Sequence, residues 1–553
     1  MCEEAVVKEL ESFQKSGALS NPMRLPSGRN AHKMILLMSA KAPDSKHPKG
    51  RRKCRIVVNG STFESVYDYD ERGIFSGVAD RTTTRIAFGY ANEINAKVIR
   101  GADLETSFLY AKLKDEEEVY VYPIQGMTVP TDDNGRKMVF RLLVAVYGMP
   151  QAAARLSSTF DQIVATAGCY PTKSDPSFYV MKKDDDILMF PRHVDDMSPI
   201  VATSEEIFNI FITAVKTGFG VQILNYEEGD RCLGMEVNID RLHQQITLTS
   251  ERQIESMLKK CGFEDVFGCK YPMKPDKEEI DEPEIETDLN LQQIGGHLQY
   301  LASQCRPDAC IPASIISSEK LKPTKKTEQN ARQAMGYFKR EKSRGLRFTS
   351  GSKDALRAIF FVDANWGGSR SKRSRHGYIV RMFGGTIVFK CALQKLVTLS
   401  STWSETVGLS EAMRFNRWLR CFLLEIGLPQ DPTDMITLEP SDPRKITLGM
   451  THNGVRDYPT QFLEDNQGAI ALSQQPLNKL SDKSRHISIR DFFCKECVAS
   501  GEAKVFYVPT KLNVADFLTK ILSRDLFINF RDQIMGYKGI SFLSQDAESS
   551  VNT

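Results

Sequence analysis

The sequence lacks long apolar runs. No stretch reaches the roughly 18 consecutive apolar residues that a membrane-spanning helix needs. The first residues, MCEEAVVKEL, are acidic where a secretory signal peptide is basic and then apolar. We therefore expect a soluble, intracellular protein that does not associate with membranes.

Cysteines are scattered rather than paired. The 12 cysteines show no spacing typical of a disulfide framework, so reduced thiols are expected. Cys494 and Cys497 form a C-x-x-C pair with His486 nearby, which is the beginning of a zinc-binding pattern. A second ligand pair at metal spacing is missing, and the segment has a helical pattern, so we expect no structural zinc.

A strong net charge is also lacking. Lys and Arg number 73 and Asp and Glu 70, which leaves a formal charge of +3, too small to indicate a nucleic-acid-binding protein. Basic residues are concentrated locally, at residues 46–53, 320–344 and 370–375. These segments either neutralise phosphates or are solvated loops, and their composition fits both.

The 553 residues are too many for a single core, and three or four domains are expected. Strand-like runs with a helix at 81–95 indicate an α+β first part. Helical patterns at 250–263 and 289–316 indicate a mainly helical second part. From residue 355 onward, strands alternate with helices, including one at 404–426, which predicts a separate α/β domain.

Acidic residues lie where strands are expected to end. Asp103 lies in GADLETSFLYAKL, at a strand-to-helix transition, and Asp195 and Asp196 lie in RHVDDM, where a hairpin turn is expected. Carboxylates in such places can bind the magnesium ions that assist phosphoryl transfer. An Asp-Asp pair by itself is also common in ordinary surface turns.

The order of the segments is more specific than any one of them. GADLETSFLYAKL is followed by EEEVYVYPIQGM, RLLVAVYGMPQAAA, DPSFYV and HVDDM. This series resembles the reverse transcriptase of copia-type LTR retrotransposon Pol polyproteins. The resemblance begins at about Glu3 and continues through CLGMEV, YLASQCRPD and GYFK to about residue 537.

The resemblance implies roles for seven residues of a polymerase. Phe108 matches the aromatic residue that lies against the sugar and rejects a 2′-hydroxyl, although it is also a plausible core residue. Two basic residues match those that hold the incoming triphosphate, and a glutamine matches one that lines the nucleotide pocket. The metal-binding acids are Asp103, Asp195 and Asp196, and the nucleotide-binding residues are Lys53, Arg55, Phe108 and Gln151.

A second acidic set resembles the RNase H motifs of the same family. The motifs are FVDANW, LSSTWSETVGLSEA, LEDNQGAIAL and NVADFLTK. The resemblance implies that Asp363, Glu405, Asp465 and Asp516 bind metal while water attacks the RNA. His486, in SRHISIRDFF, matches a recurring family motif and is either structural or in contact with the substrate.

We therefore predict an α+β right-hand polymerase, with fingers and palm and a helical thumb and connection, followed by an α/β RNase H-like domain. The expected parts are a lead-in at 1–33, fingers and palm at 34–225, thumb and connection at 226–354, an RNase H-like domain at 355–537 with an insertion at 429–458, and a polar tail at 538–553.

The resemblance implies an RNA-directed DNA polymerase with RNase H activity. The expected cofactors are two Mg²⁺ ions per active centre, with Mn²⁺ as a substitute. Expected ligands are an RNA template, a DNA primer strand, the RNA–DNA hybrid and deoxynucleoside triphosphates, with integrase, Gag or a second copy as protein partners. The expected location is the cytoplasm, in a virus-like particle, with a nuclear phase.

Several residues depart from the family pattern. Pro191 and Arg192 interrupt the apolar strand before Asp195, and Ala153, Ala154, Leu156 and Ser157 replace a Pro, an Arg and an aromatic pair. Pro191 predicts a bulge in that strand. These departures favour an alternative, a weakened or co-opted copy that binds nucleic acid.

Protease and integrase signatures are absent, so we expect a processed product or a truncated copy.

Overall fold

A computed structural model provides the structure of the chain. The residues it describes are 2–41, 50–64, 68–69, 71–124, 131–275, 282–351, 356–430, 458–477 and 488–540. His486, most of the expected insertion and most of the expected tail lie outside these residues.

The helices alternate with strands along most of the chain. The helices are α1 (Cys2–Lys15), α2 (Arg81–Glu93), α3 (Ala152–Ala165), α4 (Glu205–Lys216), α5 (Glu251–Lys260), α6 (Leu291–Gln304), α7 (Cys310–Glu319), α8 (Lys325–Arg340), α9 (Ser401–Glu425), α10 (Gln467–Ser473), α11 (Ser488–Ala499) and α12 (Arg524–Ile534). The helices predicted at 81–95 and 404–426 are confirmed as α2 and α9.

The strands occur in the following order. They are β1 (Ala31–His32), β2 (Met34–Lys41), β3 (Arg51–Val58), β4 (Val98–Glu105), β5 (Tyr120–Val121), β6 (Phe140–Arg141), β7 (Cys169–Pro171), β8 (Phe178–Lys183), β9 (Asp186–His193), β10 (Asp196–Ala202), β11 (Gly220–Leu224), β12 (Arg231–Cys232), β13 (Met235–Asp240), β14 (Gln245–Thr249), β15 (Gly345–Thr349), β16 (Ile359–Asn365), β17 (Arg375–Met382), β18 (Gly385–Leu393), β19 (Thr460–Glu464) and β20 (Ala503–Tyr507).

The chain is divided into two compact units. The first contains residues 1–80, 97–171 and 175–230, and the second contains residues 81–96, 172–174 and 231–553. Helix α2 therefore belongs to the second unit, although it lies in the sequence segment expected to form the fingers and palm. The five-part division expected from the sequence stays a prediction.

The first unit is built around a six-stranded sheet of order β11-β4-β10-β9-β8-β7. Phe190, on β9, is fully buried and contacts Phe160 of α3 and Phe211 of α4, with ring centroids 6.2 and 4.8 Å away. Burial of each such ring stabilises the fold by about 1.5–3 kcal/mol. The helices therefore hold the sheet that carries the first acidic set.

A hairpin of β2 and β3 and a small sheet of β1, β5 and β6 complete the first unit. Gly148 joins the hairpin to the segment before α3. Its φ is +92°, and a Cβ atom there would lie 2.1 Å from the carbonyl oxygen of Val58. Only glycine allows this approach, which lets the Val58 N–H donate to the Tyr147 carbonyl at 2.8 Å.

The second unit contains two sheets. An antiparallel sheet, β12-β13-β14-β15, accompanies helices α5 to α8, so the region expected to be mainly helical also has a strand component. The other sheet has the order β18-β17-β16-β19-β20, with β16, β19 and β20 parallel. Phe360 of β16 stacks on Phe462 of β19 at 4.6 Å, inside the core.

This architecture agrees with the predicted fold class, an α+β polymerase followed by an α/β RNase H-like domain. None of the helices formed by the described residues is long and apolar enough to cross a membrane.

Candidate active sites

The first acidic set is brought together by a strand pair. Asp103, on β4, faces Asp196, the first residue of β10, in the antiparallel register. Asp195 lies in the turn between β9 and β10, and its carbonyl accepts a hydrogen bond of 2.9 Å from the Leu104 N–H. The predicted hairpin turn is confirmed, and it places the three acids at neighbouring backbone positions.

The expected bulge is not at Pro191. Strand β9 runs without a break, with Pro191 opposite Phe178 of β8. The irregularity lies instead in β10, where the register with β9 shifts between Met197 and Val201. The shifted part of β10 lies opposite Pro191 and contains Pro199, so neither proline donates an N–H to the strand ladder there.

Arg192 is buried, with 3% of its surface exposed. Its guanidinium donates a hydrogen bond to the Ser157 hydroxyl and lies 4.6 Å from the ring centroid of Phe160 and 5.8 Å from that of Tyr179. Two of its nitrogens, Nε and Nη1, have no hydrogen-bond partner. Arg192 and Ser157, which both depart from the family pattern, therefore contact each other.

A tyrosine connects the predicted nucleotide-binding residues to the acids. Arg55, on β3, lies over the ring of Tyr147 at 4.9 Å, and Phe108 contacts that ring edge-on at 4.6 Å. Burial raises the pKa of Tyr147; Arg55 lowers it, and the charge of Asp195 raises it. Tyr147 was not predicted from the sequence, although its position before the glycine of YGMP could have indicated it.

Gln151 is fully buried at the start of α3. Its amide nitrogen donates to the Asp68 carbonyl at 3.0 Å, while its side-chain oxygen has no hydrogen-bond partner. Lys53 lies on β3, two residues before Arg55. The roles of these residues in nucleotide binding stay predictions.

The second acidic set is drawn from four elements of the second unit. Asp363 lies on β16, Glu405 on α9, Asp465 directly after β19, and Asp516 in the 3-10 helix Val514–Leu518. Carboxylate oxygens of Asp363, Asp465 and Asp516 all lie within 4.8 Å of one another. The same limit holds for Glu405, Asp465 and a fifth acid, Glu464.

Packing against β17 positions Asp516. A Cβ atom on Gly377, which faces Asp363 in the register, would lie 2.7 Å from the Leu518 Cβ. The glycine therefore lets the 3-10 helix approach the sheet. Asn513 caps this helix by accepting from the Ala515 N–H, and its amide donates to the Val362 carbonyl at 2.8 Å.

The carboxylates repel one another in the absence of a cation. Burial, followed by the charge of Glu464, raises the pKa of Glu405 well above its usual value. Burial and the charge of Asp363 raise the pKa of Asp516 to about 7. Lys520 partly offsets this repulsion by donating to Asp363 at 3.2 Å and to Asp516 at 2.7 Å.

Three residues of this cluster were missed from the sequence. Thr519 donates its hydroxyl hydrogen to Asp363, and Lys520 follows it. Both belong to the NVADFLTK motif, so their proximity to Asp516 could have been noticed. Glu464 directly precedes Asp465, but in a continuous strand neighbouring side chains point to opposite faces, so the sequence gives no local signal for it.

The donors of the second set fit a hard divalent cation. All are carboxylate oxygens, and one oxygen each of Glu405 and Glu464 is buried without a hydrogen-bond partner. Within the described residues, the three polymerase acids do not form a cluster within the same 4.8 Å limit. The chain thus contains acidic clusters that could hold a metal ion.

Residues 22–275 match the family model described as reverse transcriptase (RNA-dependent DNA polymerase). The Pol polyprotein from transposon TNT 1-94 of Nicotiana tabacum is 26% identical over 95% of this chain and 37% of its own length. That from transposon RE1 of Arabidopsis thaliana is 27% identical over 88% of this chain and 30% of its own length. Over most of its length the chain is therefore similar to the copia-type retrotransposon Pol polyproteins, and residues 22–275 match the reverse transcriptase family.

The chain thus spans about a third of the length of these curated relatives. A search of solved structures finds a foamy viral protease–reverse transcriptase in complex with double-stranded DNA. It is 12% identical with a TM-score of 0.49, and the match covers 92% of this chain and 69% of the viral chain.

Proposed function

We propose that the chain is an RNA-directed DNA polymerase that also degrades the RNA strand of the RNA–DNA hybrid. The observation that supports both activities best is the presence of two separate acidic sets, one in each unit. The first would serve DNA synthesis and the second RNA hydrolysis. Their use of carboxylates alone fits Mg²⁺, with Mn²⁺ as a substitute.

In the polymerase centre, Asp103, Asp195 and Asp196 would hold the cations. Bound cations would stabilise the attacking primer 3′-hydroxyl and the departing pyrophosphate. Lys53 and Arg55 would orient the triphosphate, because a guanidinium can donate two parallel hydrogen bonds to phosphate oxygens. Phe108 would restrict the space beneath C2′ of the sugar.

In the nuclease centre, Asp363, Glu405, Asp465 and Asp516 would hold the cations, and water would attack the scissile phosphate. Lys520 would compensate Asp363 and Asp516 in the cation-free protein. The shape and the 2′-hydroxyls of the hybrid would identify the RNA strand, since an A-like duplex hides its base edges.

Primer extension on an RNA template, with a labelled RNA strand, tests both activities together. We expect DNA synthesis and RNA cleavage with Mg²⁺ or Mn²⁺ and neither with a chelator present. Absence of both in folded protein with either cation would refute the proposal.

A nucleic-acid-binding remnant is the second candidate. The buried guanidinium of Arg192, two of whose nitrogens lack hydrogen-bond partners, favours it because this strand leads into Asp195. Hybrid binding without primer extension or cleavage would support this candidate against the first.

A further inference from the structure

We propose that Glu464 is a fifth carboxylate ligand of the nuclease centre and completes a second cation position with Glu405 and Asp465. This inference rests on the nuclease function proposed above. It assigns a role to a residue that the family resemblance does not name as a metal ligand.

The geometry divides the centre into two halves. One group consists of Asp363, Asp465 and Asp516, and the other of Glu405, Glu464 and Asp465, each with oxygens within 4.8 Å of one another. Asp465 belongs to both groups. A carboxylate shared in this way can bridge two cations, one on each side.

The two halves differ in how far a positively charged side chain offsets the negative charge of the carboxylates. Lys520 donates to Asp363 and Asp516, and therefore neutralises charge in the first half. Among the residues described by the structure, neither Glu405 nor Glu464 forms an ion pair. The second half thus has more uncompensated negative charge, which is where a bound cation would be most favourable.

Glu464 is fully buried, and only one of its two carboxylate oxygens has a hydrogen-bond partner. Oε1 accepts a hydrogen bond from the Asn466 N–H at 3.1 Å, whereas Oε2 is buried without a partner. The facing Glu405 also has a buried Oε2 without a partner. Burying two such oxygens is unfavourable unless a cation or a proton binds them, and an apolar side chain would fill the same volume without that penalty.

The end of β19 explains how neighbouring acids reach one site. Strand β19 ends at Glu464, whose carbonyl accepts from the Val508 N–H at 3.0 Å. Asp465 lies beyond the strand, and Asn466 then caps α10. Because the chain turns after Glu464, the alternation of strand side chains does not separate the two carboxylates.

Manganese binding by the whole 553-residue chain tests this role without measuring activity. A background with Asp103→Asn and Asp195→Asn removes acids of the polymerase centre, so calorimetry and electron paramagnetic resonance report the nuclease centre. We expect two bound Mn²⁺ in the background. Glu464→Gln should weaken one of them by about tenfold to a hundredfold and leave the other.

The matched control is Glu496→Gln, which removes a half-exposed carboxylate from the same unit and should leave both ions bound. Glu464→Met provides a second variant that keeps the volume, and circular dichroism verifies folding of each. Two Mn²⁺ bound by the Glu464 variants as tightly as by the background would overturn the assignment.

Asp363→Asn in the same background separates this inference from the proposed function. If Asp363→Asn abolishes or weakens Mn²⁺ binding but Glu464→Gln leaves both ions bound as tightly as in the background, the nuclease centre stands and the role of Glu464 fails. If Asp363→Asn leaves Mn²⁺ binding unchanged, the proposed nuclease centre itself fails.

Discussion

Arg192 shows how a residue that appears to disrupt a strand can be accommodated. A buried guanidinium normally requires several acceptors, yet here it has one hydroxyl and two aromatic rings. Ser157, where the family has a bulky residue, provides both that hydroxyl and the space. The two departures are thus coupled, which argues against independent decay at each position.

Removing the hydroxyl should destabilise this part of the first unit. Ser157→Ala leaves the Arg192 guanidinium buried without its hydrogen-bond acceptor, and we expect a loss of about 1–3 kcal/mol. Amide hydrogen exchange in α3 and β9 measures this loss locally. The exposed Ser158→Ala is the control, and equal exchange rates in both variants would contradict the coupling.

Phe108 belongs to the hydrophobic core of the first unit and is also predicted to border the nucleotide site. We expect Phe108→Val to raise ribonucleotide incorporation relative to deoxyribonucleotide incorporation, because the smaller side chain leaves room for a 2′-hydroxyl. Steady-state primer extension with each nucleotide measures the ratio. Leu109→Val, in the same 3-10 helix and also buried, controls for packing. An unchanged ratio in Phe108→Val would leave the ring a core residue only.

At the scale of elements, the proposed nuclease centre depends on how a short helix packs against a sheet. The 3-10 helix Val514–Leu518 is too short to fix its own position. Asn513 fixes it by joining the cap of the helix to the backbone of β16. The position of Asp516 therefore depends on one buried amide.

Asn513→Ala should slow hybrid cleavage by roughly a hundredfold, since displacement of a catalytic group by about 1 Å has an effect of that size. DNA synthesis should be unaffected, because the polymerase acids belong to the other unit. Single-turnover cleavage of a labelled hybrid measures the effect, with Asn529→Ala as the control. Cleavage at the normal rate in folded Asn513→Ala protein would show that the cap is dispensable.

At the scale of the whole molecule, the two acidic sets belong to different units and should act separately. We expect Asp195→Asn to abolish DNA synthesis but spare RNA cleavage, and Glu405→Gln to do the reverse. Both assays are run on one RNA-templated substrate, with the exposed Asp185→Asn as a charge-matched control. Loss of both activities from either change, in protein shown to be folded, would refute the assignment of two centres.

The pKa of Asp516, raised by burial and Asp363 from 3.8 to about 7, predicts a pH dependence of cation binding. The folded, cation-free chain holds this proton more tightly than the unfolded chain, so its stability falls as pH rises between these values. Cation binding must release the proton. Mn²⁺ affinity should therefore rise between about pH 6 and about pH 8.

Calorimetry in buffers of different ionisation enthalpy measures the protons released on Mn²⁺ binding. Asp516→Asn is the comparison variant, since it removes the group that titrates. Affinity that is independent of pH in the unmodified chain, with no proton release at pH values below 7, would contradict this prediction.

The sequence alone determined the local features of this protein and, through the order of its motifs, the family that it resembles. The placement of Asp103 on a strand and of Asp195 and Asp196 at a hairpin turn could be predicted, because such turns leave a local sequence pattern. Helices α2 and α9 could be predicted because burying one helical face requires apolar residues at a regular spacing. Both kinds of information lie within short segments of sequence, where neighbouring residues interact directly.

Only the tertiary structure decided the remaining contacts. Glu464 reaches Glu405 because β19 ends beside α9, and Arg192 reaches Ser157 because β9 packs under α3. Likewise, the ring of Tyr147 contacts both Arg55 and Phe108, and the adjacent Gly148 allows the backbone to approach Val58 closely. Residues far apart in sequence leave no periodic pattern when they meet, because their distance is set by the packing of whole elements rather than by local chain geometry.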